Sequence, residues 1–163
     1  MSCRGVLFAI EPSESQKLKK FKNDEELVEY IQENIEEEWD EDWLCETDLA
    51  WDAIHRCFAD GTLELFGGKP PLNSIIFGGE ILNTEPDYFV SLKNNDLVKE
   101  IAKEITSISK EKLQDLYYKI ADDYAEEPNE QDFEYTWDCF EGIKEFYVKV
   151  AKSKRDVIFT VDQ

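Results

Sequence analysis

His55 is the chain's only histidine, and Asp52 stands three residues before it. On a helix that spacing puts both side chains on one face, where a carboxylate can orient an imidazole for general base work. No serine or cysteine at an identifiable elbow accompanies the pair, and a lone helical histidine is more often a structural one. Glu80, directly after Gly78-Gly79, is the third candidate for chemistry; catalytic residues beyond His55, Asp52 and Glu80 do not suggest themselves. Cys45, His55 and Cys57 lack the close pair spacings of a zinc site, and the acidic run near residue 40 lacks the alternating ligands and central glycine of an EF-hand loop. Gly67-Gly68 and Gly78-Gly79 form no phosphate-binding signature. No metal site and no cofactor is therefore expected. With 38 carboxylates in the chain, no particular acid pair identifies a glycosidase-like site.

The second chemistry-bearing feature is charge. The formal net charge is −20, and it is unevenly placed: residues 1–22 carry +3, residues 23–64 carry −15, and residues 65–163 carry −8. Six of the seven residues from Glu36 to Asp42 are acidic, and the run Glu36, Glu37, Glu38, Trp39, Asp40, Glu41, Asp42, Trp43 encloses two tryptophans four apart. If the helix continued through them, Trp39 and Trp43 would share a face. Aromatic anchors ringed by carboxylates have the composition of an interaction hot spot. Two alternatives stand beside that reading: the run is a solvated helix end, or both indoles pack inward while the acids point out.

Composition bounds the rest. With 42 % apolar residues, 13 % aromatics and 163 residues, the chain can bury one domain's core and is no disordered acidic tail. Its charge repels nucleic acid and anionic lipid and attracts cationic partners, so direct nucleic-acid or membrane binding is not expected. The apolar stretch Gly5–Ile10 is too short for a signal core and runs into Glu11. The four scattered cysteines then read as reduced packing residues of a cytoplasmic protein.

The elements that position these residues can be read from pattern. Arg4–Ile10, Tyr88–Leu92 and Asp156–Val161 read as strands. Ser13 and Asn23 are expected to cap two helices, the second with a stripe of Leu27, Val28, Ile31 and Ile35. Asp48 is expected to cap a third, with Leu49, Ala50, Ala53, Ile54 and Cys57 inward and a stop at Gly61. Residues 61–85 read as loop with short pieces of structure. Helices then follow from Asp96, from Ser109 and from Asn129. The fold class is α+β, a single domain over 1–163 with a small sheet (strands near 4–10, 88–92 and 156–161) covered by several helices. The terminal strands are expected to pair with each other or with the central one.

Gly5–Ile10, Trp51-Asp52-Ala53-Ile54-His55 with the stop at Gly61, Pro71-Leu72-Asn73-Ser74-Ile75-Ile76-Phe77-Gly78-Gly79-Glu80, Tyr88–Leu92 and Val157–Val161 occur in an order that resembles the bacterial YfbM-like family, small proteins of unknown function. The resemblance spans nearly the whole chain and is most specific at the Trp-Asp-x-x-His helix and the Gly-Glu segment. It implies an α+β fold, with no activity or catalytic residue to carry over. It also implies that Trp51, Asp52, His55, Gly78, Gly79 and Glu80 share a local structure, either lining a common pocket or holding the glycine-rich segment in place. The acidic run at 36–42 is not part of the family pattern.

The expectation from residues and resemblance together is a non-catalytic acidic interaction protein that masks a cationic protein partner, as an immunity protein does. The alternative is a small-ligand-binding protein or hydrolase-like enzyme with a pocket around His55.

Overall fold

The structure, a computed structural model, describes residues 3–83, 85, 87–124 and 127–162. Five strands, β1 (Gly5–Ile10), β2 (Leu44–Asp48), β3 (Glu80–Asn83), β4 (Tyr88–Lys93) and β5 (Asp156–Asp162), form one sheet in the order β2-β1-β5-β4-β3. All pairings are antiparallel. The last strand thus lies in the centre, with Phe159 opposite Leu7 on one side and Ser91 on the other. Six α-helices are described: α1 (Pro12–Lys20), α2 (Asp24–Ile31), α3 (Trp51–Phe58), α4 (Asn95–Ile105), α5 (Lys110–Tyr117) and α6 (Glu130–Ala151). The expected α+β class, a small sheet covered by helices, is what is found.

Helices cover both faces, because alternate strand residues point to opposite sides. Leu7, Ala9, Phe89, Val157, Phe159 and Val161 join one core with residues of α3 to α6. Phe8, Ile10, Val90, Leu92 and Ile158 join the other, against Leu18, Leu27 and Ile31 of α1 and α2. A central strand buried on both sides has no polar face, which is why Val157–Val161 reads as a nearly unbroken apolar run.

Side-chain caps start four helices. Asn23 accepts from the N–H groups of Glu25 and Glu26, Asn94 from Leu97, Ser109 from Lys112 and Asn129 from Asp132. Each satisfies an N–H that the helix itself leaves unpaired. The fourth helix is therefore capped by Asn94 and begins at Asn95 rather than at Asp96.

Two other starts differ from the sequence reading. α1 begins at Pro12 with no side-chain cap, and Ser13 lies inside its first turn; proline's fixed φ makes it a good first helical residue. Asp48 does not cap α3. It ends β2 in a left-handed conformation at φ 46°, and Leu49 is exposed rather than inward. β2 is a strand where the sequence suggested none, and β3 is one of the short pieces expected within 61–85; both are sheet edges, where a weak pattern suffices.

Candidate functional site

α3 carries the Trp-Asp-x-x-His motif, and seven of its eight residues are buried. The strand before it is anchored by Thr47, whose hydroxyl donates to the Gly5 carbonyl at 2.7 Å. A backbone turn from Ala50 N–H to the Thr47 carbonyl (2.9 Å) then aims the helix at the sheet. Trp51 fixes the other side by donating its Nε1–H to the Cys3 carbonyl at 2.7 Å.

His55 is 2 % exposed. Its Nε2–H donates to the Glu64 carbonyl at 2.7 Å; a carbonyl only accepts, so the hydrogen sits on Nε2 and the lone pair on Nδ1. That Nδ1 is buried without a partner. Burial pushes the imidazole down to about 4, outweighing the Glu64 carbonyl, with Lys93 and Arg56 adding to the drop. The ring is neutral at pH 7. Neither Asp52 nor Glu80 is bonded to it.

Asp52 instead accepts from Arg56 Nε at 2.6 Å, and Arg56 also reaches Asp123 at 2.7 Å. The i,i+4 guanidinium wins over the i,i+3 imidazole because it carries a full charge. Burial raises Asp52 from its ordinary value, and Arg56 opposes that shift. Glu80 points away toward α1, pairing with Lys19 at 3.2 Å where both are well exposed, a contact worth little.

Three residues to which sequence reasoning gave no individual role complete this region. Lys93 is fully buried, and its ammonium position is held by the Ile76 carbonyl and by Ser91 Oγ at 2.7 Å. Burial drives it well below an ordinary lysine. Phe77 packs on Trp51 and His55 with ring centroids 5.4 and 4.8 Å away. Tyr147 donates to the Ile75 carbonyl at 2.5 Å. These contacts hold the Ile75–Gly79 segment from three sides, with Trp51 and His55 bracing it through Phe77. The only sequence signal for Lys93 was a lysine at the end of an otherwise apolar strand.

The acidic run has a different geometry from a continued helix. α2 ends in a π turn over Gln32–Glu36, Trp39 takes a left-handed φ of 44°, and a short 3-10 turn covers Glu41–Trp43. Trp39 and Trp43 therefore share no helical face. Trp39, 37 % exposed, meets Phe8 edge-on at 6.0 Å. Trp43 is half-buried under the protein's own cations: Arg155 lies 4.1 Å and Lys149 4.5 Å from its ring centre, a cation–π arrangement.

Glu36 turns inward, accepting from Tyr88 O–H and from Thr160 Oγ at 3.3 Å. Glu37, Glu38, Asp40, Glu41 and Asp42 stay exposed. Beside them lies a groove of about 400 Å³. Phe8 and Ile10 contribute apolar surface, Tyr30 and Trp43 aromatic surface, and Glu11, Glu14, Glu38 and Asp40 carboxylates, against Lys17 and Arg155 as bases. Tyr30 donates to Glu14 at 2.5 Å, and that bond is the main reason its phenol is raised to about 12.

Among the described residues no cluster of three or more His, Cys, Asp and Glu is placed to hold a metal ion. All four cysteines are free. Burial raises Cys45, Cys57 and Cys139 to about 12, which disfavours the nucleophilic thiolate. No helix among the described residues is long and apolar enough to cross a membrane.

Comparison with known proteins supports the α+β class of the fold. The model of a domain of unknown function, DUF1877, matches residues 1–160, and the chain belongs to that family. Among solved structures it is similar to a protein of unknown function, YfbM from Escherichia coli, at 15 % identity over 99 % of each chain with a TM-score of 0.67. At that identity the likeness is one of fold. A comparison with curated protein sequences finds no match.

Proposed function

We propose that this chain is a non-catalytic interaction protein of the cytoplasm that masks a cationic segment of a protein partner, as an acidic immunity protein covers a basic toxin. One observation carries the reading: the groove beside the 36–43 corner sets Glu14, Glu38 and Asp40 next to apolar and aromatic surface. A lysine or arginine entering it lays its methylene stem on Phe8 and Ile10 and brings its charge to the carboxylates. The same contact relieves the mutual repulsion of the exposed acids around the corner. The sealed, neutral His55 supports the non-catalytic half of the reading.

The test is affinity capture from the native host with the unaltered protein and with Glu37, Glu38, Asp40 and Glu41 changed to lysine. Glu36 is left alone because its carboxylate bonds Tyr88 and Thr160. A basic protein retained by the first and released by moderate salt, with at least roughly 100-fold weaker retention by the second, is expected. Recovery of no basic partner, or retention that survives the reversal, rejects the reading.

A further inference from the structure

On the opposite side of the sheet from the acidic groove, where α3 meets the first turns of α6, lies a separate cavity of about 260 Å³. Three aromatic side chains line it, Trp51, Tyr124 and Tyr135, together with Asp52 and Asp132. No lysine, arginine or histidine is among its described lining residues. The polar end of every ring is already engaged. Trp51 Nε1 donates to the Cys3 carbonyl, and Tyr124 O–H donates to Asp132 Oδ2 at 3.0 Å. Tyr135 O–H donates to Asp48 at 2.7 Å while its oxygen accepts the Leu49 N–H at 3.1 Å. What the rings have left to offer a ligand is their π surface, held in place by these bonds.

We propose that this cavity binds a compact organic cation, an alkylated ammonium group, between the faces of Trp51, Tyr124 and Tyr135 and in the field of Asp52 and Asp132. Three points favour this chemistry over others. Aromatic walls attract a poorly hydrated cation through their quadrupoles and offer no ligand to a metal. Phenols that donate to carboxylates are electron-rich, and the Tyr124 ring already carries the Arg56 guanidinium at 5.8 Å from its centre. That single guanidinium serves both Asp52 and Asp123; Asp132 accepts from the Tyr117 and Tyr124 hydroxyls at 2.6 and 3.0 Å but is paired with no cation among the described residues, so its charge is left for a ligand. The volume lies below the range that takes drug-sized molecules, which limits the occupant to a headgroup. The proposal does not rest on the acidic corner, and either can fail alone.

Choline and its neutral isostere 3,3-dimethyl-1-butanol are titrated into the protein by calorimetry, with the Trp51 indole N–H followed by NMR. Saturable choline binding that shifts the Trp51 resonance is expected, with the alcohol at least roughly tenfold weaker. Tyr135→Leu removes a half-exposed wall and lowers choline affinity roughly tenfold, whereas Tyr135→Phe keeps the ring and most of the affinity. Tyr135→Phe and Asp132→Asn keep the test decisive if Tyr135→Leu fails to fold, since only the second of these weakens choline binding markedly. A trimethyllysine peptide that outcompetes choline assigns the headgroup to a modified protein; the reverse order assigns it to a free amine. Equal binding of choline and the alcohol, no saturable binding of choline or of trimethyllysine, or affinity unchanged in Tyr135→Leu overturns the proposal.

Discussion

Burial holds His55 neutral and pushes Lys93 well below an ordinary lysine, both beneath one glycine-rich segment, and each couples stability to pH in its own window. The folded imidazole titrates near 4, below its ordinary 6.5. Between those values the unfolded chain binds a proton that the folded one refuses. The stabilisation is therefore complete above 6.5 and is lost as pH falls toward 4, on the order of 3 kcal/mol across the window. His55→Gln keeps a donor for the Glu64 carbonyl and removes the titration. Urea unfolding at pH 7 and pH 4.5 should show the unaltered protein losing more stability than His55→Gln; equal losses mean the ring is not held neutral. Lys93 has the same sign in a higher window. Its folded value is depressed, so its contribution grows with pH, by up to about 1.4 kcal/mol per unit below the unfolded lysine value near 10.4. Between pH 7 and 8.5, below the range where the raised cysteines enter, the unaltered protein should gain stability relative to Lys93→Met. Parallel unfolding curves for the two would show that the amine is charged in the fold. The sequence made the His55–Asp52 spacing visible but not its outcome. Asp123, which shares Arg56 with Asp52, arrives from 67 residues further along the chain, and no local pattern announces it.

Element by element, what was legible is what local rules decide. The Asn23, Ser109 and Asn129 caps, the stripe of α2, and the three long apolar strands follow from propensity and period. β2 was hidden because Leu44-Cys45-Glu46-Thr47-Asp48 sits at an edge beside the acidic run and carries no apolar alternation. β3 was legible only as a short piece within 61–85 because it is four residues long. The central place of β5 depends on pairing Gly5 with Val161, which only the whole chain determines. The glycines give this scale its own test. Gly68 has φ +81°, and an added Cβ would stand 1.9 Å from the Phe58 carbonyl oxygen. Gly142 lies inside α6 with nothing within 4 Å of such an atom. Gly142→Ala should therefore stabilise the protein by about 0.5–1 kcal/mol, because alanine loses less backbone freedom on entering a helix. Gly68→Ala should destabilise it by more than that, through both the clash and the left-handed backbone. Chemical denaturation of the two variants checks both signs, and a neutral Gly68→Ala would mean that the turn after α3 can relax.

For the whole molecule the governing quantity is self-repulsion. Of the net −20, residues 23–64 contribute −15, and the five acids of the corner that stay exposed are Glu37, Glu38, Asp40, Glu41 and Asp42. Charges on a surface are screened over about 10 Å at 0.1 M salt and about 30 Å at 0.01 M, so at low salt the whole corner repels as one body. Added NaCl should raise the melting temperature, most steeply below about 0.1 M, and MgCl2 at equal ionic strength should raise it no less. A protein whose stability rested on its exposed ion pairs, such as Lys19–Glu80 and Lys110–Glu134, would respond in the opposite direction, because salt weakens attraction as well as repulsion. The reversal of Glu37, Glu38, Asp40 and Glu41 to lysine then gives two readouts that must move apart. Removal of repulsion raises the melting temperature at 0.01 M salt and flattens its salt dependence, while retention of a cationic partner falls. If the reversal lowers stability instead, those carboxylates hold the corner together, and loss of partner binding in that variant would no longer speak for a charge-matched surface. If stability rises and partner binding falls, the repulsion is a cost the free protein bears for a surface that only its partner neutralises.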